Sequence, residues 1–271
     1  MIRVGIVGIA GRMGSLIARG VLEADDMTLT GGLEMLGHSA IGQDIGVSAG
    51  TQEQGVLITS DREEAFVDSE VIIDFTFPQV TLATASYAQK RKKALVTGTT
   101  GFTEEEIENI SQCASVVPIV LAPNMSIGVN VMFRVVEELS GLLGDAYDAE
   151  IVEAHHRMKK DAPSGTAIGL AQAIARGRGI HLDEHARYER HGFIGQRPTG
   201  EIGIQTLRAG DIVGDHMVMF AGNNERIEIT HRAHTRQNFV QGALRAARWI
   251  SGKQPGLYSM HDVLGLKYEG R

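Results

Sequence analysis

The sequence predicts an α/β protein: a doubly wound parallel sheet joined to a smaller α+β domain. Three observations predict it. Over roughly the first 126 positions, short apolar runs alternate with helix-like stretches, the pattern of parallel strands joined by crossover helices. A glycine-rich turn separates the first strand from the first helix. Beyond that region, strand candidates are joined by polar, glycine-bearing connections, closer to α+β. A chain of 271 residues is long enough for two cores.

The elements follow in order. Residues 2–7 (IRVGIV) form a strand rich in β-branched residues, "GIAGRMG" turns the chain, and a helix runs to about Glu23. Residues 28–33 are a second strand ending at Glu34, and 71–76 (VIIDFT) a third, after which Pro78 can open a helix. "ALVTGTTG" (94–101) is strand then turn. Thr103 and Glu106 have the spacing of a capping box, and 116–124 are another strand. A helix over 128–143 leads to a strand at 149–156, and a further helix starts near Ser164. Strands are expected at 201–208, 212–221 and 225–233, then a helix at 237–251, with 256–266 closing the chain. The division is therefore 1–126 with 236–271 as one domain and 127–235 as the other.

Composition narrows the function. With 43% hydrophobic and 22% charged residues the chain reads as soluble and globular. A net charge of −7 argues against a broad basic face for nucleic acid. One cysteine, Cys113, excludes an intrachain disulfide and suits a reducing compartment. There is no apparent signal peptide and no apolar run of membrane-spanning length, so no membrane association and a cytoplasmic location are expected.

Gly8, Gly11 and Gly14 give G-x-x-G-x-x-G between a strand and a helix, where a dinucleotide fold places its pyrophosphate turn. Glu34, 20 residues beyond Gly14, stands where a carboxylate accepts hydrogen bonds from an adenine ribose. "GTTG" (98–101) and "APNM" (122–125) fall at carboxyl ends of strands; each is either a nicotinamide contact or a simple β–α turn.

"EAHHRMKKDAPSGTA" (153–167) concentrates positive and titratable charge in an acidic protein. His155 and His156 end a strand and point to opposite faces, so only one faces a given pocket directly. After Arg157–Asp161, Pro163 and Ser164 start a helix whose first N–H groups, on Gly165 and Thr166, suit an anion. This combination fits a small carboxylated substrate that needs proton transfer; the competing reading is a solvated Lys159–Lys160 pair and structural histidines. No metal is expected: His181 and His185 are four apart but lack an identifiable third ligand.

These residues resemble the 4-hydroxy-tetrahydrodipicolinate reductase (dihydrodipicolinate reductase) family. The resemblance rests on that segment and on "GRMG" (11–14), "DFT" (74–76), "GTTGF" (98–102), "APNMSIGVN" (122–130), "RAGDIVGDH" (208–216) and "GLYSMHDVLGL" (256–266). It implies a Rossmann-type domain plus a substrate and oligomerisation domain, a homotetramer, and NADH- or NADPH-dependent reduction of a cyclic dicarboxylate, with loss of water, in the diaminopimelate route to lysine. It further implies that His155 is the acid/base histidine, Lys159 the proton donor, His156 a substrate contact, and Gly165 with Thr166 the carboxylate clamp. Gly8, Ile9, Ala10, Gly11, Arg12, Met13, Glu34, Gly98, Thr99, Thr100, Ala122, Pro123, Asn124 and Met125 match cofactor-contacting positions. Many relatives carry arginine after the ribose-binding glutamate; this chain has Met35, so NADH is expected to be preferred, with NADPH still usable through Arg12, the nearest remaining cation, reaching the phosphate region from the glycine loop.

Two other classes compare poorly. An aspartate-semialdehyde dehydrogenase needs a cysteine nucleophile, and Cys113 sits on a predicted amphipathic helix. A dinucleotide-sensing regulator would keep the glycines and Glu34 but has no use for the histidine–lysine cluster.

Overall fold

The computed structural model describes residues 1–266 and divides into two compact units, one of residues 1–127 with the chain from Gln237 onward, the other of Gly128–Arg236. Residues 267–271, the end of the first expected domain, lie outside the described residues.

The first unit begins with β1 (Ile2–Val7), α1 (Arg12–Leu22), β2 (Met27–Leu33), α2 (Ile45–Ser48), β3 (Ile58–Thr59) and α3 (Arg62–Phe66). It continues with β4 (Val71–Asp74), α4 (Pro78–Arg91), β5 (Ala94–Thr97), α5 (Glu104–Ala114) and β6 (Pro118–Leu121). β4 and β5 are buried at every position, their apolar runs ending in buried Asp74 and Thr97, as strands covered on both faces must be. Pro78 opens α4, and Thr103 with Glu106 forms the expected capping box on α5. Half-buried Cys113 lies near the end of that helix.

The second unit holds α6 (Ile127–Leu143), a 3₁₀ turn, β7 (Asp148–His155), α7 (Gly165–Arg178), α8 (Leu182–His185), β8 (Ala186–Arg187), β9 (Ile202–Arg208), β10 (Gly214–Ala221) and β11 (Arg226–Ala233). Its five strands run β11-β10-β7-β9-β8. β7 is antiparallel to β10 and parallel to β9, so the sheet is mixed. Ile151, Ile204, Val218 and Phe220 form a core with Leu170 and Ile174 of α7.

Back in the first unit the chain adds α9 (Gln237–Ile250), β12 (Gly256–Tyr258) and α10 (Met260–Leu264). β12 pairs in parallel with β6 and completes the seven-stranded order β12-β6-β5-β4-β1-β2-β3. The sequence reading assigned no strand to 256–258. The order reverses between β1 and β4, and a ligand crevice is expected at such a switch point, outside the carboxyl ends of the strands. One core lies on each face, with Val4, Ile6 and Ile73 in one and Val7, Ile72 and Leu95 in the other.

Candidate active site

In the second unit, period-two alternation along β7 sends Ala149, Ile151, Glu153 and His155 to its buried face. Strand register then supplies their neighbours. His155 stands opposite Arg208 and Glu153 opposite Thr206 on β9, while His216 of β10 is also opposite Glu153. Glu153 is fully buried and accepts five hydrogen bonds. Arg208 reaches both its oxygens at 2.9 Å, the Ser164 N–H donates at 3.0 Å, the Thr206 hydroxyl at 3.2 Å, and His155 Nδ1 lies at 2.5 Å. Burial alone would raise the Glu153 pKa, but Arg208, then His155 and the Ser164 N–H, outweigh it and hold the carboxyl at about 2.

His155, 8% exposed, is held below the usual histidine range, first by burial and then by the charges of Lys159 and Arg208, against the pull of Glu153. The two partners do not shift as mirror images: Glu153 falls chiefly because of Arg208, whereas His155 falls because it is buried. An ionised Glu153 makes Nδ1 the protonated ring nitrogen and leaves Nε2 as the acceptor. A side chain at residue 214 would begin 3.1 Å from that Nε2, so Gly214 keeps it clear. His216 packs edge-on to His155, with ring centroids 5.1 Å apart, and pairs through Nε2 with the Ser164 hydroxyl at 3.0 Å.

The strand ends at His155, one residue short of the expected end, and His156, the first residue of the following loop, is half-exposed. The loop after it is tied down: Arg157 N–H donates to the Gly210 carbonyl, and Ala209 N–H to that of His155. Half-buried Lys159 pairs with Asp161 at 2.9 Å, whereas Lys160 is exposed surface charge. Ser164 caps α7 by accepting from the Ala167 N–H, with Gly165 and Thr166 in the first turn. No atom lies within 4 Å of where a Gly165 side chain would project, so a ligand can approach the backbone there.

In the first unit a cavity of about 670 Å³, within the range of small-molecule sites, opens at the carboxyl ends of β1 to β4. Its lining includes Gly8, Gly11, Arg12, Met13 and Glu34. Gly8 has φ +66°, and a side chain at Gly14 would fall 2.0 Å from the Gly8 carbonyl oxygen, so both glycines are required by the turn. Gly11 starts α1 with no side-chain cap and no acid in the first turn, which leaves the terminus open to an anion. The Ala10 N–H donates to Glu34 Oε1 at 2.8 Å and fixes the carboxylate. Residues that could hold a dinucleotide are therefore in place.

Other expected contacts have structural employment. The Ile9 and Met125 side chains are core, and Ala122 is buried. Thr99 is buried, and its hydroxyl accepts from the Thr76 N–H and the Thr81 hydroxyl. A side chain at Gly98 would strike the Phe75 ring at 2.2 Å. Thr100 and Pro123 are exposed, and Asn124 Oδ1 accepts from the Ser126 N–H. These loops follow β5 and β6 and do not line the cavity. Sequence reasoning missed Glu153, Arg208, Ser164 and His216 as members of the cluster, although "EAHH" and "RAGDIVGDH" contain three of them. Arg12, the cation expected near Glu34, lines the cavity, and so does Arg62, which sequence reasoning did not single out. Among the described residues no group of three ligating side chains could hold a metal, and no helix is long and apolar enough to cross a membrane.

Residues 2–125 match the family model for dihydrodipicolinate reductase, N-terminus, and 128–264 that for its C-terminus. The 4-hydroxy-tetrahydrodipicolinate reductase of Syntrophobacter fumaroxidans is 50% identical over 98% of this chain and all of its own length. The reductase of Geotalea uraniireducens is 48% identical with the same coverage. A dipicolinate-bound dihydrodipicolinate reductase from Paenisporosarcina sp. TG-14 superposes with a TM-score of 0.75 at 27% identity, covering 96% of this chain and 97% of that one.

Proposed function

The chain belongs to the dihydrodipicolinate reductase family, and from that premise we propose that it reduces 4-hydroxy-tetrahydrodipicolinate, with loss of water, to tetrahydrodipicolinate on the way to diaminopimelate and lysine. Residues 1–126 with 236–271 act as the dinucleotide domain and 127–235 as the substrate and assembly domain. NAD(P)H, when bound, supplies the hydride. Gly8 to Met13 cradle its pyrophosphate, and Glu34 takes the ribose. Gly98–Thr100 and Ala122–Met125 border its nicotinamide end through their backbones.

Gly165 and Thr166 at the start of α7 receive one substrate carboxylate, and His156 a second polar contact. Lys159 donates a proton to the substrate, and its positive charge favours the dianion. His155 Nε2 exchanges a proton with the reacting ring, while Glu153 fixes the tautomer and stabilises the imidazolium that forms. The observation that carries this reading is a buried, Glu153-anchored imidazole beside a lysine loop leading into a glycine-opened helix start. Mixing the purified protein with 4-hydroxy-tetrahydrodipicolinate should consume NADH, with a higher kcat/KM than for NADPH, because Glu34 repels a 2′-phosphate and Met35 cannot offset it. Absence of turnover with either cofactor would overturn the assignment; a tenfold preference for NADPH would overturn the NADH preference alone.

The second unit also supports assembly. Its sheet packs one face on α7, while the other presents Val152, Leu207, Met217 and Met219, with Leu207 53% exposed. That face suits burial between copies in a homotetramer. Light scattering at micromolar concentration should report four chains, and a fully active monomer would contradict it. With one cysteine and no disulfide to protect, the enzyme works in the cytoplasm, without nucleic acid or membrane partners.

A further inference from the structure

The cavity beside Glu34 contains a cation that the reaction as described does not use. β3 pairs in parallel with β2, Leu33 standing opposite Thr59, and the Glu34 N–H donates to the Thr59 carbonyl at 3.0 Å. The carboxyl ends of the two strands are therefore adjacent. One carries Glu34 and Met35; the other leads through Ser60 and Asp61 to Arg62, and Glu34, Met35, Ser60 and Arg62 all line the cavity.

The acids that flank Arg62 in sequence, and Glu34 in the same cavity, are engaged elsewhere. Asp61 accepts from the Glu63 N–H at 2.7 Å, and Glu63 binds Arg91 at 2.5 and 2.9 Å. Glu64 accepts from the Thr59 hydroxyl at 2.7 Å, and Glu34 is fixed by the Ala10 N–H. Among the described residues the Arg62 side chain makes no hydrogen bond or ion pair, and its Nε is buried without a partner. A guanidinium presents a planar fork of donors suited to phosphate, and a buried donor left unsatisfied is costly.

We propose that Arg62 is a specificity-determining residue of the cofactor site: it binds the 2′-phosphate of NADPH in place of the arginine that Met35 does not provide. The inference rests on the dinucleotide reading of this cavity. Arg62 approaches from β3 instead of from the position after Glu34, and it offsets part of the repulsion between Glu34 and the phosphate dianion. NADPH therefore remains usable by an enzyme that favours NADH.

The test is calorimetric binding of AMP and of adenosine 2′,5′-bisphosphate to the wild-type protein and to Arg62→Met and Arg62→Lys. These probes need no turnover. Arg62→Met keeps the aliphatic stem and loses the charge. It should weaken the bisphosphate by at least about tenfold, the low end for a charged hydrogen bond, and change AMP by less than about twofold. Arg62→Lys should recover part of the loss. An equal loss for both probes would make Arg62 an adenine-stacking residue, and no loss for either would make it a bystander; both outcomes overturn the proposal. Failure of wild-type protein to bind either probe would instead overturn the dinucleotide reading on which it rests.

Discussion

Replacing His155 by Gln is expected to lower kcat by about a hundredfold or more, the usual cost of removing a positioned acid or base. The Kd for NADH should change by less than about twofold, since every residue lining the glycine-loop cavity lies in the other unit. Gln retains a polar group of similar reach but cannot exchange a proton near neutrality. The pH profile gives a second readout. Burial, then Lys159 and Arg208, hold His155 below the ordinary histidine value of about 6.5, so the acid limb of wild-type kcat/KM should fall below that pH. In His155→Gln that limb should disappear. Near-wild-type turnover in the variant, or an unchanged acid limb, would remove His155 from the proton chemistry.

The residues of this site differ in how far the sequence discloses them. The cofactor turn is legible because its constraints are local. Gly8 must adopt a positive φ, Gly14 must let α1 approach the Gly8 carbonyl, and strand, turn and helix are contiguous. The order of strand and helix likewise discloses the doubly wound sheet. His155 is legible as titratable, but its anchoring is not. Arg208 and His216 reach Glu153 through strand pairings 55 and 63 residues away in sequence, which only the sheet register creates. Arg62 is hidden for a similar reason. Nothing in "TSDREEAF" marks a ligand site, and the significance of its arginine comes from the pairing of a two-residue strand with the end of β2. β12 was missed because three residues, "GLY", carry too little periodicity to read as a strand.

The same long-range register makes Glu153 the position where a single truncation should cost most in stability. Glu153→Ala removes the partner of a bidentate Arg208 and leaves the Ser164 N–H and His155 Nδ1 without their acceptor. Breaking a buried ion pair from one side costs about 3–5 kcal/mol. Urea unfolding at pH 7 should therefore show a loss of that order, with Glu153→Gln intermediate because its amide oxygen still accepts. The difference should also depend on pH. In the unfolded chain Glu153 titrates near the ordinary glutamate value of 4.5, and in the folded protein at about 2. Between those values the unfolded state binds a proton that the folded state does not, so wild type loses stability as pH falls from 4.5 towards 2. The full effect is roughly 3 kcal/mol, at about 1.4 kcal/mol per pKa unit. His216 acts with the same sign: burial first, then the charge of His155, takes it from 6.5 to about 3, so acid also favours unfolding through it. That contribution is present in both proteins and largely cancels in the comparison. The gap between wild type and Glu153→Ala should thus narrow below pH 4.5. A gap that stayed constant down to pH 3, or a variant as stable as wild type at pH 7, would show that Glu153 is not the charged anchor of the cluster.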